Sequence, residues 1–108
     1  MFVSIPHAAV RAVRSAVPDQ EVRIEDELEY YDGSLKKAGR ARTMIGTDRR
    51  RLVWPGQTAS DLCRAAAESL LAAHPSCRDE VDALVFVSQS PDYDLPATAC
   101  ILQQRLGL

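Results

Sequence analysis

No apolar run in this chain approaches the roughly 20 residues of a membrane span, and the amino terminus MFVSIPHAAVRAVRSAVP lacks the uninterrupted apolar core of a signal peptide. A cytoplasmic protein is expected, with no membrane partner. Charge of one sign is not in large excess either: the formal net charge is -2, which argues against a nucleic-acid binder. Cysteines are few. Cys63, Cys77 and Cys100 are widely spaced, so they form neither a disulfide framework nor a CxxC metal or redox motif. The sequence also has no GxGxxG, no GxxxxGK[ST] and no GxSxG, which removes the usual phosphate cradles and the serine elbow. At 108 residues there is room for one domain at most.

What is present centres on Asp82–Leu108. Ala83, Leu84, Val85, Phe86 and Val87 form an unbroken apolar run, expected to be a strand buried on both faces. Ser88-Gln89-Ser90 and the turn PDYDLP end it. Pro96 then marks the expected start of a helix and Gly107 its stop. A strand that empties through a polar loop into a helix N-terminus is where open α/β sheets commonly do their chemistry.

Upstream, AAVRAVRSAV between His7 and Val17 reads as a first strand ended at Pro18-Asp19, with an Arg-bearing helix as the competing expectation. Asp19 to Asp32 is strongly acidic. Its Val22, Ile24, Leu28 and Tyr31 lie at near-helical spacing, which predicts a short amphipathic helix ended by Gly33. The sign then reverses: Lys36, Lys37, Arg40, Arg42, Arg49, Arg50 and Arg51 place seven of the thirteen basic residues within sixteen positions. Two readings of this run stand, a solvated face that neutralises the acidic stretch, or a docking surface for phosphate or an acidic protein. RRLVWP predicts a short edge strand running into the Pro55-Gly56 turn.

Thr58 and Asp61 signal a helix start, and Leu62, Ala66, Leu70 and Ala73 repeat at helical spacing, with Ala65, Ala67 and Leu71 widening the stripe. His74-Pro75 ends that helix. Alternating strands and helices with an apolar last strand give an α/β class, with a mixed or parallel sheet joined by crossover helices.

Few residues are equipped for chemistry. Cys100 has the apolar neighbours Ala99, Ile101 and Leu102, and Cys63 lies on or beside an apolar stripe, so both are expected to be small buried hydrophobes. Cys77, in a polar loop, is expected to be exposed. His7 and His74 stand alone. Asp92 and Asp94 flank Tyr93 and have two readings, an acid/base or metal pair, or turn formers that favour the helix after them. No complete catalytic set is present.

In order, SAVPDQEV, IGTDRRR, QTASDLCRAAAESL, VDALVFVSQSPD and LPATACILQQRLGL resemble the amino-terminal part of β-ketoacyl-acyl carrier protein synthase III and its thiolase-fold relatives, from about Val10 to Leu108. The resemblance implies a layered thiolase fold, a homodimer, and a decarboxylating Claisen condensation through an acyl-cysteine. It implies no resident cofactor, the acyl-CoA or acyl carrier protein being substrate and partner. It further implies that 1–108 is the amino-terminal portion of a longer chain, with the nucleophilic Cys, the His and the Asn all lying after Leu108. Cys100 matches a non-nucleophilic cysteine of the family. Leu95 matches the residue that reaches across the dimer into the partner's acyl pocket.

In the family a Trp and an Arg-Thr pair precede the segment anchored here by Gly46. Arg42-Thr43 lies about two residues early and Trp54 is too late, which points away from a standard acetyl-CoA starter. Arg40, Arg42, Thr43 and Arg49 are the candidates for docking a carrier protein or coenzyme A. The alternative is a non-catalytic ketosynthase half that serves in dimerisation or carrier docking.

Overall fold

The computed structural model describes residues 6–46 and 48–108. It divides into two compact units: one is the leading segment to Ala16 together with Ala59–Leu108, the other Val17–Thr58.

In the Val17–Thr58 unit, strand β1 (Gln20–Arg23) runs antiparallel to β2 (Arg49–Leu52), in the register Gln20↔Leu52, Glu21↔Arg51, Val22↔Arg50 and Arg23↔Arg49. Opposite charges across the ladder favour this pairing. Glu21 Oε1 accepts from Arg49 Nη1 at 3.2 Å, and its Oε2 lies 3.3 Å from Arg51 Nη2. The expected edge strand in RRLVWP is therefore present.

The helix expected over Asp19 to Asp32 is not. Its first half is β1, drawn into the ladder by arginines that sequence periodicity does not register. Its second half is a short 3-10 helix, Ile24–Tyr31, broken by non-helical geometry at Glu27. Arg23 N–H donates to Asp26 Oδ2 at 3.0 Å at its start. Asp32 (φ 52°) and Gly33 (φ 70°) reverse the chain at its end.

The basic run then contains helix α1 (Leu35–Ile45), which the charge pattern alone did not reveal. Ser34 Oγ accepts from Lys37 N–H at 3.3 Å as its N-cap. Gly46, at φ 74°, closes it by donating its N–H to Arg42 O at 2.8 Å. Ala38 is its buried residue, with Ile24 buried in the preceding 3-10 helix.

In the other unit, α2 (Ala59–Ala73) packs against α3 (Thr98–Leu106). Leu71 of α2 and Thr98, Leu102 and Leu106 of α3 are buried; the α3 set recurs every four residues and so forms one face. α2 ends as expected at His74, whose N–H donates to Leu70 O at 3.0 Å, and a 3-10 turn follows at Pro75–Arg78. α3 begins two residues after Pro96, with Ala97 at the N-cap, and stops as expected at Gly107. Arg78 Nη1 donates to the carbonyl oxygen of Leu106 there.

The strand expected at Ala83–Val87 is a correction. Residues 81–89 carry no ladder, and the described residues hold a single two-stranded sheet, β1 with β2. Alternation survives: Leu84 and Phe86 are half-buried, whereas Val85 and Val87 are 85% and 88% exposed. One face is thus partly covered and the other bare, instead of both being buried. The first strand expected within His7–Val17 likewise has no ladder partner, nor is it helical, and Val10, Val13 and Val17 are exposed. Arg11 Nη1 pairs with Glu80 Oε2 at 2.6 Å; that hydrogen bond, then the carboxylate charge, raises the guanidinium above its ordinary pKa.

Candidate functional site

Two surfaces contain the residues singled out from sequence, one in each unit. In the Val17–Thr58 unit, α1 and β2 supply the basic residues. Arg42 Nη1 lies 2.9 Å from Glu25 Oε1 and 3.3 Å from Asp48 Oδ1. Arg49 Nη1 reaches Glu21 at 3.2 Å, and its Nε lies 3.9 Å from Asp48 Oδ2. Asp48 thus brings Arg42 and Arg49 to one carboxylate. Arg50 pairs with Glu27, whose side chain is mostly covered. Thr43 Oγ1 donates back to Gly39 O at 3.0 Å, a local bond within its helix.

Arg40 is exposed, and no ion pair joins it among the described residues. It shares a helix face with Lys36, one turn before it, and with Thr43. Acid and base therefore cancel along β2, while α1 keeps an uncompensated basic face. A cavity of about 170 Å³ lies beside the ladder, lined by Val22, Ile24, Tyr31 and Ile45 with Glu27 and Arg50 at its polar side.

In the other unit, the loop after the extended segment presents Leu95, 85% exposed, and Tyr93, 62% exposed. The Leu95-Pro96 peptide is cis. Beneath the loop lies a polar cluster. Ser60, fully buried in the first turn of α2, donates its hydroxyl to Asp92 Oδ2. Asp92 N–H donates to Thr98 Oγ1 at 3.3 Å, and Arg105 Nη1 donates to Ser60 Oγ at 3.5 Å and to Asp61 Oδ1 at 3.0 Å. Of the two aspartates flanking Tyr93, Asp92 is thus built into the helix pair, whereas Asp94 is exposed.

Ser60 and Arg105 were not singled out from sequence. They are 45 positions apart; each lies in a stretch that carries the family resemblance, QTASDLCRAAAESL and LPATACILQQRLGL, but no local spacing joins them.

The cysteine expectations invert. Cys63 and Cys100 are exposed and Cys77 is partly covered. Cys100 lines an open depression with Leu84, Ala99 and Gln103, so its apolar neighbours in sequence do not enclose it. Among the described residues, no group of His, Cys, Asp and Glu could hold a metal ion, and no helix is long and apolar enough to cross a membrane.

No family model matches the chain. Individual relatives do. A putative 3-oxoacyl-[acyl-carrier-protein] synthase 3 of Campylobacter jejuni is 35% identical over 94% of this chain and 29% of its own length. A β-ketoacyl-[acyl-carrier-protein] synthase III of Alkalilimnicola ehrlichii is 36% identical over 94% of this chain and 31% of its own. Among solved structures, the 3-oxoacyl-(acyl-carrier protein) synthase of Burkholderia xenovorans superposes with a TM-score of 0.79 at 40% identity, covering 89% of this chain and 28% of that one. The synthase III of Thermus thermophilus gives 0.78 at 30% identity, covering 94% and 30%. The chain spans about three-tenths of the length of these proteins. Sequence and fold thus agree, over nearly all its residues, with the amino-terminal part of proteins named as β-ketoacyl-acyl carrier protein synthase III, and the chain has a partial thiolase-like fold.

Proposed function

We propose that the protein carrying this chain catalyses the decarboxylating Claisen condensation of an acyl thioester with a malonyl-type extender on acyl carrier protein. The observation that carries this reading is the agreement in sequence and fold, over about nine-tenths of the chain, with proteins named as 3-oxoacyl or β-ketoacyl carrier protein synthases. In the first step a cysteine thiolate attacks the acyl carbonyl and expels the donor thiolate, leaving an acyl-enzyme. In the second the extender loses CO₂, and the carbanion so formed attacks the acyl carbon and releases the cysteine. The nucleophile and its His and Asn partners are supplied from outside residues 1–108.

Within 1–108 the proposed contributions are to binding. Leu95 lines the acyl pocket of the partner in a homodimer, a role suited to an exposed apolar side chain on a loop. The α1 face led by Arg40 receives the acidic carrier protein or the phosphate of its phosphopantetheine arm, with Arg42, Thr43 and Arg49 alongside. No resident cofactor takes part, and the reaction is placed in the cytoplasm. The departure from the family's Trp and Arg-Thr pattern favours a donor other than acetyl-CoA, such as an acyl chain already held on a carrier.

The decisive experiment is the denaturing intact mass of the native gene product after incubation with a set of acyl-CoA and acyl-carrier thioesters. A polypeptide about three times this length, gaining an acyl mass at a cysteine beyond residue 108, is the expected result and identifies the donor. A polypeptide of 108 residues that gains nothing would replace the catalytic reading with that of a dimerisation or carrier-docking module.

A further inference from the structure

The polar cluster under the Leu95 loop has no part in the reaction just described, yet it contains the most tightly enclosed polar groups among the described residues. Ser60 is 0% and Thr98 4% exposed. Asp92 is bound to both: its Oδ2 accepts from the Ser60 hydroxyl, and its N–H donates to Thr98 Oγ1. Through Ser60 it is fastened to the first turn of α2, and through Thr98 to the first residue of α3. Its other oxygen, Oδ1, is buried and accepts no hydrogen bond among the described residues.

A carboxylate is a costly group to enclose, since each oxygen gives up strong hydration, and turns are made as well by residues that leave no orphaned acceptor. The carboxylate of Asp92 ties the start of one short loop to α2, while its backbone N–H meets Thr98 at the loop's far end. Between the two anchor points, Asp92 and Thr98, lie Tyr93, Asp94, Leu95, Pro96 and Ala97, all exposed. With their side chains largely in solvent, packing contributes little to holding the backbone in place. The direction of Leu95 therefore depends on its anchors.

We propose that Asp92, locked between Ser60 and Thr98, is a positioning residue for Leu95 and through it helps to set the length of acyl chain that the protein accepts. This rests on the ketosynthase reading and on the place of Leu95 in the acyl pocket. Arg105 supports the clamp from the end of α3, holding Ser60 and Asp61 together.

The test uses the full-length protein and a series of saturated acyl thioesters from acetyl to decanoyl, each offered both on coenzyme A and on acyl carrier protein. It measures kcat/KM at each length for wild type, Asp92→Asn, Asp92→Ala, Ser60→Ala, Leu95→Ala and the double variant Asp92→Ala with Leu95→Ala. Amide hydrogen exchange over residues 93–97 is followed in parallel. Asp92→Ala is expected to speed exchange in the loop and to change the ratio of kcat/KM between long and short chains by on the order of tenfold. Asp92→Asn, which keeps an oxygen for the Ser60 hydroxyl, should retain the wild-type ratio. In the Leu95→Ala background the Asp92→Ala change should leave the ratio where Leu95→Ala alone put it, because the residue acts through the leucine. If Asp92→Ala does not fold, Ser60→Ala carries the same comparison. A chain-length ratio that stays at the wild-type value while the overall rate falls, or effects of the two substitutions that simply multiply, would overturn the proposal. Wild-type protein acylated by no thioester in the series would instead defeat the ketosynthase reading, and the inference with it.

Discussion

Gly107 shows how a single residue settles where an element ends. It takes φ 65° at the C-cap of α3, and a Cβ there would come within 3.3 Å of Arg78 Nη1, the atom that donates to Leu106 O. Gly107→Ala thus meets both backbone strain and a crowded guanidinium, and is expected to cost about 1 kcal/mol in urea unfolding of the full-length protein. A midpoint unchanged from wild type would mean that the helix end relaxes freely. Cys100 is the opposite case. Its thiol is free and exposed on α3, so Cys100→Ser should leave both stability and condensation intact in the full-length protein. Loss of acyl-enzyme formation in that variant without loss of folding would make Cys100 a participant. Arg40 forms no ion pair among the described residues, whereas Arg42 and Arg49 already face carboxylates. Arg40→Glu should weaken carrier binding several-fold in low salt and much less in 0.5 M salt, where the Debye length falls to a few ångströms. Equal weakening at both salt concentrations would rule out an electrostatic dock at this position.

At the scale of elements, what sequence patterning revealed depends on whether an element is held together by itself or by something far away. α2 was legible because its apolar stripe, its first-turn Asp61 and its His74-Pro75 stop are all local. The end of α3 was legible for the same reason. β1 was not, because the periodicity of Val22, Ile24 and Leu28 mimics a helix, and only arginines thirty residues downstream draw the segment into a ladder. α1 was hidden differently: its charges dominated the reading, although Ser34 and Gly46 bracket it with a proper cap at each end. Ser34→Ala removes the acceptor for Lys37 N–H and should destabilise the protein by about 1 kcal/mol in chemical unfolding, with Ser34→Asp close to wild type. An unaffected Ser34→Ala would indicate that solvent serves the amide equally well. The candidate site divides along the same line. Leu95 and Asp92 stand in a recognisable proline-bearing loop before a helix, whereas Ser60 and Arg105 become its supports only once α2 and α3 are packed together.

At the scale of the whole molecule, the feature that sequence and structure treat most differently is the run from Ala83 to Val87. A fully apolar β-branched run asks for cover on both faces, yet among the described residues it has no ladder partner and bares Val85 and Val87 almost completely. Val10 and Val13, in the leading segment, are bare as well. Unpaired N–H and C=O groups along an extended apolar segment form a template for another chain, and exposed apolar surface of this kind drives association. Residues 1–108 expressed alone are therefore expected to self-associate at micromolar concentration and to bind a hydrophobic dye. Lysine at both bare positions, Val85→Lys with Val87→Lys, places charge on the open face without touching the half-buried Leu84 and Phe86, and should return the polypeptide towards a monomer in analytical ultracentrifugation. The same pair of substitutions in the full-length protein separates two origins for the exposure. If the run is the interior strand that its sequence asks for, covered by chain outside 1–108, the two lysines would enter a core and abolish folding, since unpaired buried charge costs several kcal/mol. If the full-length variant folds with wild-type stability, the run is a true surface strip, and the buried strand expected from its composition does not exist in this protein.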